Sequence, residues 1–384
     1  LRYPGLDLLR ALAIVWVMLF HSYQVGGLGP WGDALARHGW VGVDLFFVLS
    51  GFLVGQQVLA PIARGTRLRI GEFYLRRALR ILPAYWVVLA LYLLWPGFRE
   101  RPDMEPWWKF VFFLFNLTHT LQRDAFAQAW SLCVEEHFYL VLPLLAAALA
   151  GRIDRRGFVA LCVFLVSAGV ILRGAIWLHE ARAQVAAGVD AVTWYGRALY
   201  YPTWNRLDGL LAGLCLAMLR VFRPDHWVRW QQRANLMLML GLVLLGLAIA
   251  SFWSRISPVG NTVGWPLLSA AMALLVFAAA SRHSWIGARA LPGVGWLAAV
   301  SYSLYLTHTA VAALVHRHLG HWLDGHGVIT FTGYALTVLA AGAVLHYAVE
   351  RPGLRLRERW LSRHRPPVGA APTASGPPAV SGRD

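Results

Sequence analysis

Charge is scarce in this chain of 384 residues. Only 14% are Asp, Glu, Lys or Arg, 58% are hydrophobic, and the mean hydropathy is +0.51. That balance excludes an ordinary soluble domain of this size. Lysine is almost missing: Lys109 stands alone, so the formal net charge of +16 is carried by arginine. Carboxylates are few as well, 19 in all, which makes each one inside an apolar stretch a candidate for function. Cysteine is limited to Cys133, Cys162 and Cys215, all in apolar segments and without CxxC spacing. This excludes a disulfide scaffold and a cysteine metal site, and predicts buried, inert thiols. A cleavable leader is not evident, because the first apolar run contains Asp7 and Arg10 and no small-residue cleavage site follows. The sequence also lacks GxGxxG, P-loop, HExxH and GxSxG motifs and any internal repeat.

What the sequence does contain is a series of apolar runs near 20 residues long. They predict an all-α, polytopic membrane protein with about ten spans, at roughly 6–24, 40–60, 81–98, 131–150, 157–178, 206–220, 235–253, 264–280, 295–315 and 328–349. The 19 Trp and 13 Tyr fit rings that favour the two bilayer interfaces. The apolar segment 109–121 is about two-thirds of a spanning length and reads as interfacial or re-entrant. Arg and Lys are about twice as frequent in the loops on the side of the N-terminus as in those opposite, which predicts both termini inside. Basic residues placed in short loops in this way orient a membrane protein, so no nucleic-acid partner is expected. Residues 1–352 read as one membrane domain. Residues 353–384 read as a basic, then Pro/Gly/Ala-rich, largely disordered cytoplasmic tail.

Within the first run, Leu6–Ser22, Arg10 and His21 are eleven positions apart. On a helix this is about three turns, placing them on one face roughly 16 Å apart. The expected topology brings further polar groups to the depth of His21: Asp44, Glu135, Glu136, Asp208 and His308. A histidine beside a carboxylate in a partly desolvated cavity is a general-base pair, the carboxylate holding the tautomer and stabilising the imidazolium. The opposite, basic side carries Arg76, Arg77 and Arg80 with Arg64, Arg67 and Arg69 just upstream, a cluster suited to phosphate groups. The loop 179–203, with Arg182, Trp194, Tyr195, Tyr200 and Tyr201, has an aromatic and polar mix suited to a sugar-like acceptor. His316, His318, His321 and His326 invite a metal reading, but beyond Asp324 nothing completes a ligand set, and no metal is expected.

Five stretches, in order, resemble the membrane acyltransferase 3 family of bacterial integral-membrane O-acyltransferases. They are Arg10 with His21; GVDLFFVLSGF, Gly42 to Phe52; Arg77 with Arg80; WSLCVEEHFY, Trp130 to Tyr139; and the stretch from Ser301 to His308. Cys133 and His137 depart from the family's usual small polar residue and Gln. The resemblance runs from Leu6 to about Pro352. It implies transfer of an acyl group, usually acetyl, from cytoplasmic acetyl-CoA to a hydroxyl of a carbohydrate, glycolipid or glycosylated small molecule. The expected location is the bacterial cytoplasmic membrane. The expected roles are His21 as general base oriented by Glu135 or Glu136, with Arg10, Arg76, Arg77 and Arg80 binding acyl-CoA. Asp44, Asp208 and His308 are candidates for contacting the acceptor. A reading from another class is a transporter or flippase for a polar glycolipid, using the same intramembrane charges as a path.

Overall fold

The computed structural model describes residues 3–25, 29–117, 124–150, 155–186, 188–323 and 328–363. Among them the chain is helical and contains no strand. The main helices are α1 (Pro4–Phe20), α2 (Val41–Ala63), α3 (Ile70–Leu94), α4 (Ala129–Leu149), α5 (Arg155–Ala186), α6 (Asp208–Phe222), α7 (Ala234–Ser251), α8 (Trp265–Ala279), α9 (Val294–Leu323), α10 (Val328–Leu345) and α11 (Arg351–Arg363). In hydrocarbon every backbone polar group needs an internal partner, so apolar runs of this length close into helices.

Among the described residues nine helical segments are long and apolar enough to cross a membrane. The expected span at 206–220 is present as α6 but is only 15 residues long. At 1.5 Å per residue this falls short of a hydrocarbon core of about 30 Å. It lies inside the bundle against α2. Two glycines allow that contact: a Cβ on Gly51 would sit 2.1 Å from the Leu210 carbonyl oxygen, and one on Gly213 would sit 2.1 Å from that of Val48. Small residues let two helix backbones touch where no side chain would fit between them. α1 packs against α9, α2 and α8.

Two boundaries differ from expectation. α3 begins at Ile70, earlier than the expected span at 81–98; Arg76, Arg77 and Arg80 lie on its first turns, and Arg64, Arg67 and Arg69 precede it. The first part of the expected tail is helical, as α11; residues 364–384 lie outside the described residues. The segment 109–121 supplies only a short helix, Trp107–Val111, and turns over its described part. Cys133, Cys162 and Cys215 are free thiols.

Candidate active site

α1 ends at Phe20, and His21 opens a 3₁₀ turn that runs to Val25. Arg10 and His21 therefore serve two different cavities. The first, of about 250 Å³, is bounded by α1, α2, α3, α4 and α9. Arg10, Arg77, Arg80, Glu135 and Glu136 all line it, with Gln57 and Tyr302 among its other polar groups. Arg77 and Arg80 reach it together because residues three apart share a helix face. Arg76 does not line it: it points outward and pairs with Glu72 one turn back on α3. The Glu135 carboxylate accepts from the Ser50 hydroxyl at 2.7 Å and from the Tyr139 hydroxyl at 2.9 Å. The Tyr139 ring in turn carries the Arg77 guanidinium 3.9 Å from its centroid. A cation over an aromatic face is held by the ring quadrupole without neutralising its charge, so Arg77 stays available to an anion.

The second cavity, about 520 Å³, lies between α1, α9 and α10 and contains His21 and His308. Its other walls are mainly apolar, including Met18, Leu19, Trp296, Phe331 and Leu339. His308 Nε2 lies 3.2 Å from His21 Nδ1. His21 Nδ1 is also 2.9 Å from the Val17 carbonyl oxygen, and His308 Nδ1 is 2.9 Å from that of Tyr305. Carbonyls only accept, so both Nδ1 atoms carry hydrogen. The His308 Nε2 lone pair then shares the His21 Nδ1–H with Val17. That assignment, inferred from the network, leaves the His21 Nε2 lone pair as the basic atom of the pair.

The histidine pair is held through α4. The Ser131 and Tyr305 hydroxyls are 2.5 Å apart, and Tyr305 also donates to the Gln128 carbonyl at 3.1 Å. The Gln128 amide donates to the Leu306 carbonyl at 3.3 Å. Next to it, the Tyr92 hydroxyl donates to Glu100 at 2.8 Å, and burial pushes the Glu100 carboxyl above its usual range. The motif around Trp130 thus anchors the helix of His308 with its first turn, and lines the arginine cavity with its second.

Among the described residues no hydrogen bond or ion pair joins Glu135 or Glu136 to His21, whose polar partners there are Val17 and His308. The reason is position: both glutamates sit on the face of α4 turned to the arginine cavity. Asp44 and Asp208 are spent on buried ion pairs. Asp44 accepts from Arg206 at 2.8 Å, and that guanidinium lies 3.7 Å from the Trp265 ring centroid. Asp208 accepts from Arg173 at 2.8 and 3.1 Å. Arg173 is 0% exposed, and it also donates to the carbonyls of Asn205 and Asn261. Sequence reasoning passed over Arg173, although an arginine inside the apolar run of α5 was the available signal. His316 bonds the Tyr334 hydroxyl at 2.9 Å, and no group of three potential metal ligands occurs among the described residues. His326, Asp324 and the Arg182 side chain lie outside what is described.

A bundle of spanning helices with an arginine-lined cavity and a histidine pair inside it defines a multi-pass membrane protein. The acyltransferase domain model of the acyltransferase 3 family matches residues 3–347, and the chain belongs to that family. It is 25% identical over 336 residues to the peptidoglycan O-acetyltransferase OatA of Listeria monocytogenes, covering 81% of this chain and 49% of OatA. A candidate peptidoglycan O-acetyltransferase of Bacillus subtilis, YrhL, is 26% identical over 389 residues, covering 94% of this chain and 57% of YrhL. A candidate O-acetyltransferase of Staphylococcus aureus strain COL is 26% identical over 371 residues, with 89% and 56% covered. The chain thus spans about half the length of these relatives. No solved structure matches it.

Proposed function

We propose that this chain transfers an acetyl group from acetyl-CoA to a hydroxyl of a carbohydrate-type acceptor, in the bacterial cytoplasmic membrane with both termini inside, the short α6 making a tenth crossing from within the bundle. The observation that carries this reading is the pairing of the two cavities through α1. Arg10 lines one with Arg77 and Arg80, and His21 meets His308 at the helix's other end.

The three arginines would engage the phosphates of acetyl-CoA from the cytoplasmic side, since guanidinium forks match phosphate oxygens. The cavity of about 250 Å³ is smaller than the roughly 300–1,000 Å³ of a typical drug-sized ligand site. It suits the narrow thioester arm, with the nucleotide left nearer the mouth. Glu135 is a positioning residue, holding Tyr139 under Arg77, and Glu136 limits the net positive charge of the same space. The arm would extend about 16 Å along α1 to bring its carbonyl to His21.

There the acceptor hydroxyl gives its proton to His21 Nε2 as its oxygen bonds to the thioester carbon. The C–S bond then breaks, the CoA thiolate leaves, and the imidazolium returns the proton to that sulfur. His308 fixes the His21 tautomer and ring. The direct test is release of free CoA from acetyl-CoA by the purified chain with an acceptor present, compared with the His21→Ala variant. Acceptor movement without thioester loss would overturn the transferase reading in favour of transport. Full activity in a correctly inserted His21→Ala variant would remove the base assignment.

A further inference from the structure

A third cavity, about 500 Å³, lies next to the histidine pair and has no part in the mechanism above. It shares Ser22 with the His21 cavity, and Phe20, the residue before His21, forms another of its walls. Tyr195 and Arg255 form its inner wall, and the exposed side chains of Tyr23, Asp33 and Arg37 also line it. Two buried donors here lack a hydrogen-bond acceptor: the Tyr195 hydroxyl and Nη1 of Arg255. Tyr195 is only 4% exposed.

Arg255 has aromatic company but no counter-anion. Its guanidinium carbon lies 4.6 Å from the Trp40 ring centroid, 5.1 Å from Tyr200, 5.7 Å from Phe20 and 5.9 Å from Tyr195. Among the described residues no carboxylate comes within ion-pair distance of it. Arg255 is half-buried with its Nη1 enclosed, whereas Arg173 and Arg206, which are fully buried, each hold an aspartate. A guanidinium partly withdrawn from water without an anion, beside a buried hydroxyl whose proton has no acceptor, costs free energy that a bound anionic oxygen would return. Burial works against the charge of Arg255, but the neighbouring Tyr195 and Tyr200 oxygens hold it firmly cationic. Burial also pushes the Tyr195 hydroxyl up to about 12, so it remains a donor at neutral pH.

We infer that this cavity binds an anionic oxygen of the acceptor, with Arg255 and Tyr195 as its donors and the adjacent sugar hydroxyl presented to His21. This rests on the transferase reading for the word acceptor, but the binding itself does not. A uronic-acid carboxylate and a sugar phosphate share the required chemistry, and aromatic walls suit the faces of a sugar ring.

The experiment is equilibrium binding by tryptophan fluorescence, with the full chain in phosphatidylcholine nanodiscs and no acetyl-CoA. The probes are methyl β-glucuronide, glucose 1-phosphate and methyl β-glucoside. At least one anionic probe should bind about tenfold more tightly than the neutral glycoside. Preference for the first points to an acidic sugar, and preference for the second to a phosphate-linked one. Arg255→Gln should abolish the preference, and Arg255→Lys should keep it in weaker form. Tyr195→Phe should weaken all three probes a few-fold, and Arg76→Gln should change nothing. Equal binding of the neutral probe, or a preference that survives Arg255→Gln, overturns the inference. If Arg255→Gln fails to insert, Arg255→Lys and Tyr195→Phe decide it: unchanged affinities in both overturn it. Acetyl transfer is not read in this assay, so failure of the transferase reading would appear separately, as intact acetyl-CoA.

Discussion

The two cavities along α1 are built on opposite plans. The one at Arg10 places three arginines and two glutamates around a small space, with Glu135 held by two hydroxyls and Arg77 by a ring. The one at His21 is twice as large and almost wholly apolar, with two imidazoles as its main polar feature. A charged chamber recognises an anionic ligand and tolerates small shifts, because Coulomb forces fall off slowly with distance. An apolar chamber with one hydrogen-bonded pair suits a proton transfer, which demands contact within hydrogen-bond reach. On the proposed mechanism, binding and chemistry are separated along one helix, and one ligand must bridge them.

Substitutions can break this contrast. The largest effect is expected at the apolar end. His21→Ala should lower acetyl transfer by about 10²–10⁴-fold, the usual weight of a general base, while the KM for acetyl-CoA holds. A raised KM with an unchanged kcat would mean that His21 binds and does not react. His308→Ala should cost less, because a tautomer-fixing neighbour is lost and the base remains. The frame that holds both ends comes next. Asp208→Asn strands part of the Arg173 guanidinium, and loss of a buried partner typically costs about 3–5 kcal/mol. Denaturation of the purified protein should show this destabilisation. At the charged end, Arg77→Gln and Arg80→Gln should each raise the KM for acetyl-CoA by about tenfold and change kcat little. Steady-state kinetics over a range of salt concentrations would sharpen the point, since a phosphate contact weakens with ionic strength. The smallest effect is expected at Arg76, whose outward ion pair with Glu72 is the kind that contributes little. Arg76→Gln should match the parent in both kinetics and stability.

Much of the frame was legible in the chain itself. Apolar runs of near 20 residues fix helices in hydrocarbon whatever their neighbours do, so most spans fall within a few residues of expectation. α6 was legible both as a helix and as a short one, within two residues of its observed bounds, but its seat against α2 through Gly51 and Gly213 was not, because that contact joins segments far apart in sequence. Arg10, Arg77 and Arg80 converge on one cavity as expected. Arg76 could not be separated from them by charge alone, since one helical position turns a side chain about 100° away.

By itself the sequence determined that this is a helical membrane protein with ionisable groups at two levels, because both facts follow from hydropathy and spacing along one chain. Only the tertiary structure decided which of those groups meet. Asp44 and Asp208 went to buried arginines, the glutamates of α4 to the arginine cavity, and His308 to His21. The physical reason is that a buried charge must find its partner across helices far apart in sequence. Several arginines and carboxylates were eligible at similar depth, and helix packing alone chose among them.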